Sequence, residues 1–435
     1  MKKRVPDRCV AAVALLLMVG ASTADTGSLP RPLTLEHALS LAESVPTDVA
    51  QARADLAYSQ AEERLAQSRT GVNVGLEGRL RWIEPSAVAA DQSNDDHRGS
   101  LFVRKNLYDF GRSAAEEAAA KGTSKASRLK YADIVRQRRI AIMEAYFDVL
   151  LADLEFARDN EEMAVVYVNF DRLQDRHELG QVSDIDLLEM EAEYQAVRKR
   201  RATSQARQRS TRSHLAIALG RPGELSSELV RPDLPQLEEE LPEYGVLLKK
   251  TLAENVAIRA LRAEVKAAES RVAGARAGRR PYLDGEIEAS TYAREAGSYD
   301  DWRAGVVLSV PLYSGGAVGA QIARAKADLN RTRASLAAVE DAVRQALLDN
   351  YLDLETLRVD ADRILALQDY RDLYLDRSRA IYELEVKTDL GDAMVRLSEA
   401  QLDAAKNRFN RALAWERLKA LAGGLPNAPI SGDGG

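Results

Sequence analysis

Cysteine is almost missing: Cys9 is the only one in 435 residues. Once the leader that holds it is removed, neither a disulfide nor a cysteine metal site is left. Aromatic side chains make up only 6% of the chain, too few for the thick core of a large globule. No apolar run of about 18 residues follows position 24, so no helix is expected to cross a bilayer. Charge of one sign is lacking too: the net charge is −6 with acids and bases interspersed, which excludes a basic face for nucleic acid. The four histidines, His37, His97, His177 and His214, are scattered, with none at ligand spacing. No phosphate loop, nucleophile elbow or metal motif appears. Gly315-Gly316 ahead of a helix is read as a strand-to-helix bend and not as an anion site. The chain is read as a protein without catalytic residues, cofactor or metal, and not as an enzyme.

What is present begins with a secretory leader. Lys2, Lys3 and Arg4 precede an apolar run from Val10 to Val19, and Ser22 and Ala24 supply small residues at the −3 and −1 positions of a cut after Ala24. Residues 1–24 are therefore expected to be a signal peptide. Cys9 lies inside it and not at its end, so it is not a lipid-attachment site.

Proline placement sets the next level. None occurs between Pro85 and Pro222 or between Pro311 and Pro426, and glycine there is confined to a few turn-like positions such as Gly180 and Gly391. Breaker-free stretches rich in Ala, Leu, Glu, Gln and Arg predict long helices. Apolar positions alternate by four and three residues, as in Met143, Phe147, Leu150, Leu154 and Ala157, and again from Val343 through Leu347, Tyr351, Leu354 and Leu357. This is a coiled-coil seam. A helix from Gly111 to Gly180 would extend roughly 100 Å.

The pattern occurs twice. Ala61-Glu62, Leu65-Ala66, Arg69 and Gly71 recur as Ala268-Glu269, Val272-Ala273, Arg276 and Gly278, and Leu107-Tyr108 with Gly111 recurs as Leu312-Tyr313 with Gly316. A duplication follows. The first repeat is placed at 25–220, with a β-hairpin over 74–108 and a helical hairpin over 111–220. The second is placed at 246–423, with a β-hairpin over 281–313 and a helical hairpin over 316–423. Between them lies an acidic, proline-rich connector at 221–245, open to reading as an exposed linker or as a small equatorial subdomain. Residues 424–435 form a tail.

The hairpin segments alternate. Leu76, Gly78, Leu80 and Trp82 interleave with Glu77, Arg79 and Arg81, and Leu283, Ile287 and Ala289 with Asp284, Glu286 and Glu288. An ordinary half-buried sheet alternates in the same way. Two features favour membrane strands: Trp82 and Trp302 mark the loop end and Tyr108 and Tyr313 the other end, forming two aromatic girdles, and the loops are long and polar. Four strands cannot close a barrel, and open edges are not tolerated in lipid. The chain is thus expected to pool strands with copies of itself.

On these features the chain resembles the TolC-like outer-membrane efflux protein family, also called outer membrane factors. The resemblance runs from Leu33-Thr34-Leu35-Glu36-His37-Ala38-Leu39 to Leu421-Ala422-Gly423. It is carried by the duplication, by Leu107-Tyr108-Asp109-Phe110-Gly111-Arg112 and Pro311-Leu312-Tyr313-Ser314-Gly315-Gly316, and by the turn from Arg176 to Asp186. It implies a mainly α fold with a transmembrane β-barrel: a homotrimer with a twelve-stranded barrel in the outer-membrane lipid and an α-helical coiled-coil tunnel in the periplasm. It also implies two partners, a periplasmic adaptor protein and an inner-membrane pump of RND, ABC or MFS type, in an efflux or type I secretion system. A periplasmic adaptor is the alternative, but it should carry a single helical hairpin and glycine-rich β modules. A secreted coiled-coil scaffold is opposed by the girdled strands.

The resemblance also assigns sites. Gly180 and Asp186 match the family's turn glycine and the aspartate six residues on. At the second turn Tyr382, Lys387 and Thr388 match the family's tyrosine, basic residue and hydroxyl, Glu385 stands where the glycine belongs, and Asp389 and Asp392 match the aspartates that narrow the entrance. The implied gate is Asp389, Asp392, Asp186, Tyr382 and Lys387. The implied adaptor-docking tips are Gly180, Val182 and Ser183 with Glu385 and Thr388.

Overall fold

The computed structural model describes residues 29–43, 47–224, 228–234, 237, 239–294, 300–384 and 389–424. The leader at 1–24, residues 425–435 of the tail, and Glu385, Lys387 and Thr388 at the second turn lie outside the described residues.

In chain order the elements are α1 Leu35–Ser40, α2 Thr47–Ser68, β1 Val72–Arg79, β2 Arg98–Tyr108, α3 Arg112–Glu178, α4 Asp184–Ala218, α5 Tyr244–Glu254, α6 Val256–Ala277, β3 Tyr282–Tyr292, β4 Trp302–Ser309, α7 Ala317–Glu383 and α8 Leu390–Leu421. The order helix, hairpin, long helix, helix therefore occurs twice. Helices α3 and α7 each have 67 residues, about 100 Å at 1.5 Å per residue. Helix α3 packs against α2, α4, α6 and α8, and α7 against α6, α8 and α5. Among the described residues no helix is long and apolar enough to cross a membrane.

The four strands form one antiparallel sheet in the order β1-β2-β3-β4, so β1 and β4 are edges. The hairpin predicted to reach Tyr313 stops at Ser309. Ser309 faces Tyr282, the first residue of β3, and beyond that pair Pro281 and Pro311 bring no N–H to the ladder, which ends the strand. Likewise β1 ends at Arg79, while Trp82 lies beyond it in an isolated bridge to Asp95 that keeps the same hairpin register.

Where strand becomes helix, the chain turns on two consecutive left-handed residues. These are Phe110 (φ 55°) with Gly111 (φ 90°) before α3, and Gly315 (φ 62°) with Gly316 (φ 85°) before α7. The Asp109 carboxylate accepts from the N–H groups of Gly111, Arg112 and Ser113 at 3.2, 3.1 and 2.8 Å, satisfying donors that the start of α3 leaves unpaired.

The main core lies near the middle of the long helices. Ile142, Tyr146 and Phe147 of α3 meet Phe409 of α8, Leu33, Leu215, Leu219 and Leu234. Phe147 and Phe409 stack with centroids 4.4 Å apart. A second cluster joins Leu247, Leu347, Leu354, Trp415 and Leu418. The 221–245 connector belongs to this packed middle. Leu229 bridges Leu33 in parallel, Leu234 is buried, and the Tyr146 hydroxyl donates to the carbonyls of Leu33 (2.8 Å) and Val230 (2.6 Å). Leu229, Leu234 and Leu237 anchor the connector on the main core, while Arg231, Asp233, Glu239 and Glu240 stay exposed. Its prolines prevent helix, but its leucines and backbone carbonyls are used by α3.

Candidate functional site

Two regions leave large apolar side chains exposed: the sheet and the helical tips.

Pairing register decides what each sheet face carries, because directly opposed residues share a face. One face holds Arg98, Ser100, Phe102, Arg104 and Asn106 of β2 opposite Tyr292, Ser290, Glu288, Glu286 and Asp284 of β3. These groups satisfy one another. Glu288 is buried between Arg98 and Arg303, Arg104 pairs with Glu286 at 3.1 Å, and the Asn106 amide donates to Asp284 at 2.9 Å. Phe102 lies over Gly75, and the Arg104 guanidinium covers its ring.

The opposite face is apolar and uncovered. Val74, Leu76, Leu101, Val103, Ile287, Ala304, Val306 and Leu308 share it, and Leu76 is 82% exposed with Val74, Val306 and Leu308 near 62% each. Trp82 and Trp302 stand exposed at the loop end and Tyr108 at the helix end, with Tyr313 four residues past the end of β4. A bulge between Asn106 and Tyr108 sets Tyr108 opposite Leu283, adding it to the apolar row. Alternation alone would have put Tyr108 on the polar side, and a bulge re-aims a side chain in this way. Burying such a face against lipid, with charges paired on the reverse, is the requirement for membrane strands.

The first helical tip is closed by local chemistry. Gly180 takes φ 70°, its N–H donates to the His177 carbonyl at 2.8 Å, and the Gln181 N–H donates to that of Arg176 at 2.9 Å. This double bond pattern stops α3 in a Schellman turn. Ser183 caps α4. Its hydroxyl accepts from the Asp186 N–H (3.3 Å) and donates to the Asp186 carboxylate (2.8 Å), which also takes the Ser183 N–H (3.2 Å). These bonds hold the Asp186 carboxyl below the usual carboxylate range. Across the turn, His177 Nε2 and Asp184 Oδ1 lie 2.6 Å apart. Asp186 is thus engaged by its own turn, and among the described residues no bond joins it to Tyr382. The Ser-x-x-Asp spacing that announces this box is legible in the sequence.

The second tip is held by packing. Asp389 precedes α8 without a side-chain cap, and one of its oxygens accepts from the Tyr374 hydroxyl at 3.5 Å. Asp392 is exposed and, among the described residues, paired with Arg396 of its own helix at 3.5 Å. Tyr382 is half exposed at the end of α7. Gly391 sits against α3: a Cβ there would meet Val165 at 2.8 Å. Exposed apolar residues crown both tips, Leu179, Ile185 and Leu188 on the first and Leu384 on the second. Tyr374, Arg396 and the Gly391–Val165 approach had no motif to announce them.

Comparisons with known proteins agree with this architecture. The family described as Outer membrane efflux protein matches residues 247–424. The alkaline protease secretion protein AprF of Pseudomonas aeruginosa is 24% identical over 356 residues, covering 78% of this chain and 72% of AprF. The outer membrane protein TolC of Escherichia coli is 23% identical over 309 residues, covering 65% of this chain and 60% of TolC. Among solved structures, the outer membrane protein VceC of Vibrio cholerae superposes with a TM-score of 0.72 at 17% identity, over 90% of this chain and 96% of VceC.

Proposed function

Since the chain belongs to the TolC-like family of outer membrane efflux proteins, we propose that it is the outer-membrane duct of an efflux or type I secretion system, passing substrate from an inner-membrane pump to the exterior. The observation that carries this is a four-stranded sheet with two free edges and one exposed apolar face, continuous with two 67-residue helices. Three chains close such sheets into twelve strands, edge β1 of one meeting edge β4 of the next, and remove every open edge from lipid. The helices extend the duct into the periplasm. Crosslinking and mass measurement in mild detergent should give a heat-modifiable trimer, and a stable folded monomer in lipid would overturn the reading.

The apolar tips are the docking surface for a periplasmic adaptor. Gly180, Val182 and Ser183 serve the first turn and Glu385 and Thr388 the second. The relative named for protease secretion supports the secretion arm, with an ABC-type pump; RND and MFS pumps are the efflux counterparts.

The gate is assigned to Asp389 and Asp392, with Asp186, Tyr382 and Lys387 around them. Three-fold symmetry brings the aspartate pairs together at the mouth, where like charges select cations and bind multivalent blockers. Planar-bilayer conductance tests this. In Asp389→Ala/Asp392→Ala, selectivity should move towards anions and multivalent-cation block should weaken. Unchanged preference and block would put the gate elsewhere.

A further inference from the structure

The apolar sheet face has one ionised member. Its row runs Val72, Val74, Leu76 and Gly78 on β1; Leu101, Val103, Lys105 and Leu107 on β2; Leu283, Gly285, Ile287 and Ala289 on β3; and Trp302, Ala304, Val306 and Leu308 on β4. Lys105 is exposed, and among the described residues no carboxylate or hydrogen-bond acceptor reaches it. Its opposed neighbours are Val72 and Gly285. Every arginine on the β2 polar face, by contrast, has a carboxylate partner: Arg98 has Glu288 and Arg104 has Glu286. Chance placement of a solvated lysine does not suit this face, which has no other charge to share.

The position within the row matters. Lys105 lies three residues before the end of β2, close to the helix end of the sheet, where a basic residue on a lipid face is tolerated and a long stem can lift its ammonium to the headgroups. At that same rim Tyr108 and Phe110 form an edge-to-face pair with centroids 4.7 Å apart. Arg280, just ahead of β3, is exposed and donates to the Phe110 carbonyl at 2.8 Å. That bond uses one guanidinium nitrogen, leaving donors free beside the aromatic pair. Both cations sit on or next to the central strands β2 and β3. Closing the barrel through β1 and β4 therefore leaves Lys105 facing lipid and buries neither cation under a neighbouring chain.

We propose that Lys105 and Arg280 each attract the anionic headgroup of a phospholipid in the periplasmic leaflet, with acyl chains lying on the apolar row and headgroups at the Tyr108–Phe110 rim. The proposal rests on the barrel reading above. It goes further by naming the lipid charge and the two residues that choose it.

The test uses full-length trimer reconstituted in phosphatidylcholine nanodiscs containing a minor fraction of phosphatidylglycerol, re-extracted in mild detergent, with bound lipid counted by native mass spectrometry. The parent should retain phosphatidylglycerol over phosphatidylcholine, and Lys105→Gln and Arg280→Gln should each lower that retention about fivefold. Lys105→Arg should keep it, and Arg104→Gln, one residue away on the polar face, should leave it unchanged. Equal retention of the two lipids by the parent overturns the proposal without any variant. So does unchanged retention in the double variant, or an equal loss in Arg104→Gln. Loss of the trimer band in the parent would instead count against the barrel reading, so the two failures are distinguishable.

Discussion

The two halves of the chain share an element order and a 67-residue helix each, yet they are held in different ways. Among the described residues helix α4 of the first half packs mainly on α3, whereas α8 of the second lies between α7 and α3. The tips follow from this. Lacking neighbours, the first closes itself with Gly180, the Ser183–Asp186 box and the His177–Asp184 contact. Among the described residues beside the second, α8 starts at Asp389 without a side-chain cap and Gly391 fits against Val165. Tyr146 and Tyr351, which follow Leu107 and Leu312 of the duplicated motif at the same spacing, diverge as well. Tyr146 is fully buried and holds two carbonyls, with burial pushing its phenol up to about 12, while Tyr351 is partly exposed and packs edge-on against Tyr244. Where tertiary contacts are sparse, local hydrogen bonding carries the structure; where they are dense, it is dispensable.

The largest test of that contrast is the tyrosine pair. Tyr146→Ala removes a buried ring and leaves the Val230 carbonyl without the hydroxyl donor, while the Leu33 carbonyl keeps the Val230 N–H, and it should lower stability by about 3–5 kcal/mol. Tyr351→Ala should lower it by less than half as much. Thermal unfolding of the trimer followed by circular dichroism compares them, and equal shifts would break the distinction. Next, Gly391→Val drives a side chain into Val165 and should cost about 1–3 kcal/mol. Amide exchange should then rise in the first turns of α8 and stay unchanged at the first tip.

Gly180→Val tests the other mode. Open space surrounds Gly180, so the penalty is backbone strain alone, about 1–2 kcal/mol. We expect a trimeric barrel with faster exchange around residues 176–187 and loss of export. Full export with normal adaptor pull-down would remove this turn from the docking surface. Ser183→Ala should have a smaller effect, about 1 kcal/mol at the same tip. Acid completes the series. Because Asp186 is held below its ordinary value, its bonds contribute above a pH near about 4, the unfolded carboxylate value, and are lost as pH falls through the lower folded value. Amide protection at the first tip, taken relative to the intrinsic rate at each pH, should therefore fall on acidification, and Ser183→Ala should flatten that fall.

Much of this was legible in advance because it depends on local rules. Breaker-free, heptad-patterned stretches specify long helices wherever they lie. Period-two alternation specifies strands with two unlike faces, and Gly111 and Gly315-Gly316 mark the strand-to-helix bends. The ends of elements were less legible: Pro311 stops β4 before Tyr313, and a bulge turns Tyr108 onto the apolar row.

The chain's own residues thus determined the duplicated order of helices and strands, the unequal sheet faces and the self-capped first tip, since each arises from neighbours a few positions apart. Only the tertiary structure decided that the acidic connector is gripped by Tyr146, that Gly391 must be small for α8 to approach α3, and that Lys105 stands alone on an apolar wall. Those facts join residues tens to hundreds of positions apart, and no local pattern records which distant surfaces will meet.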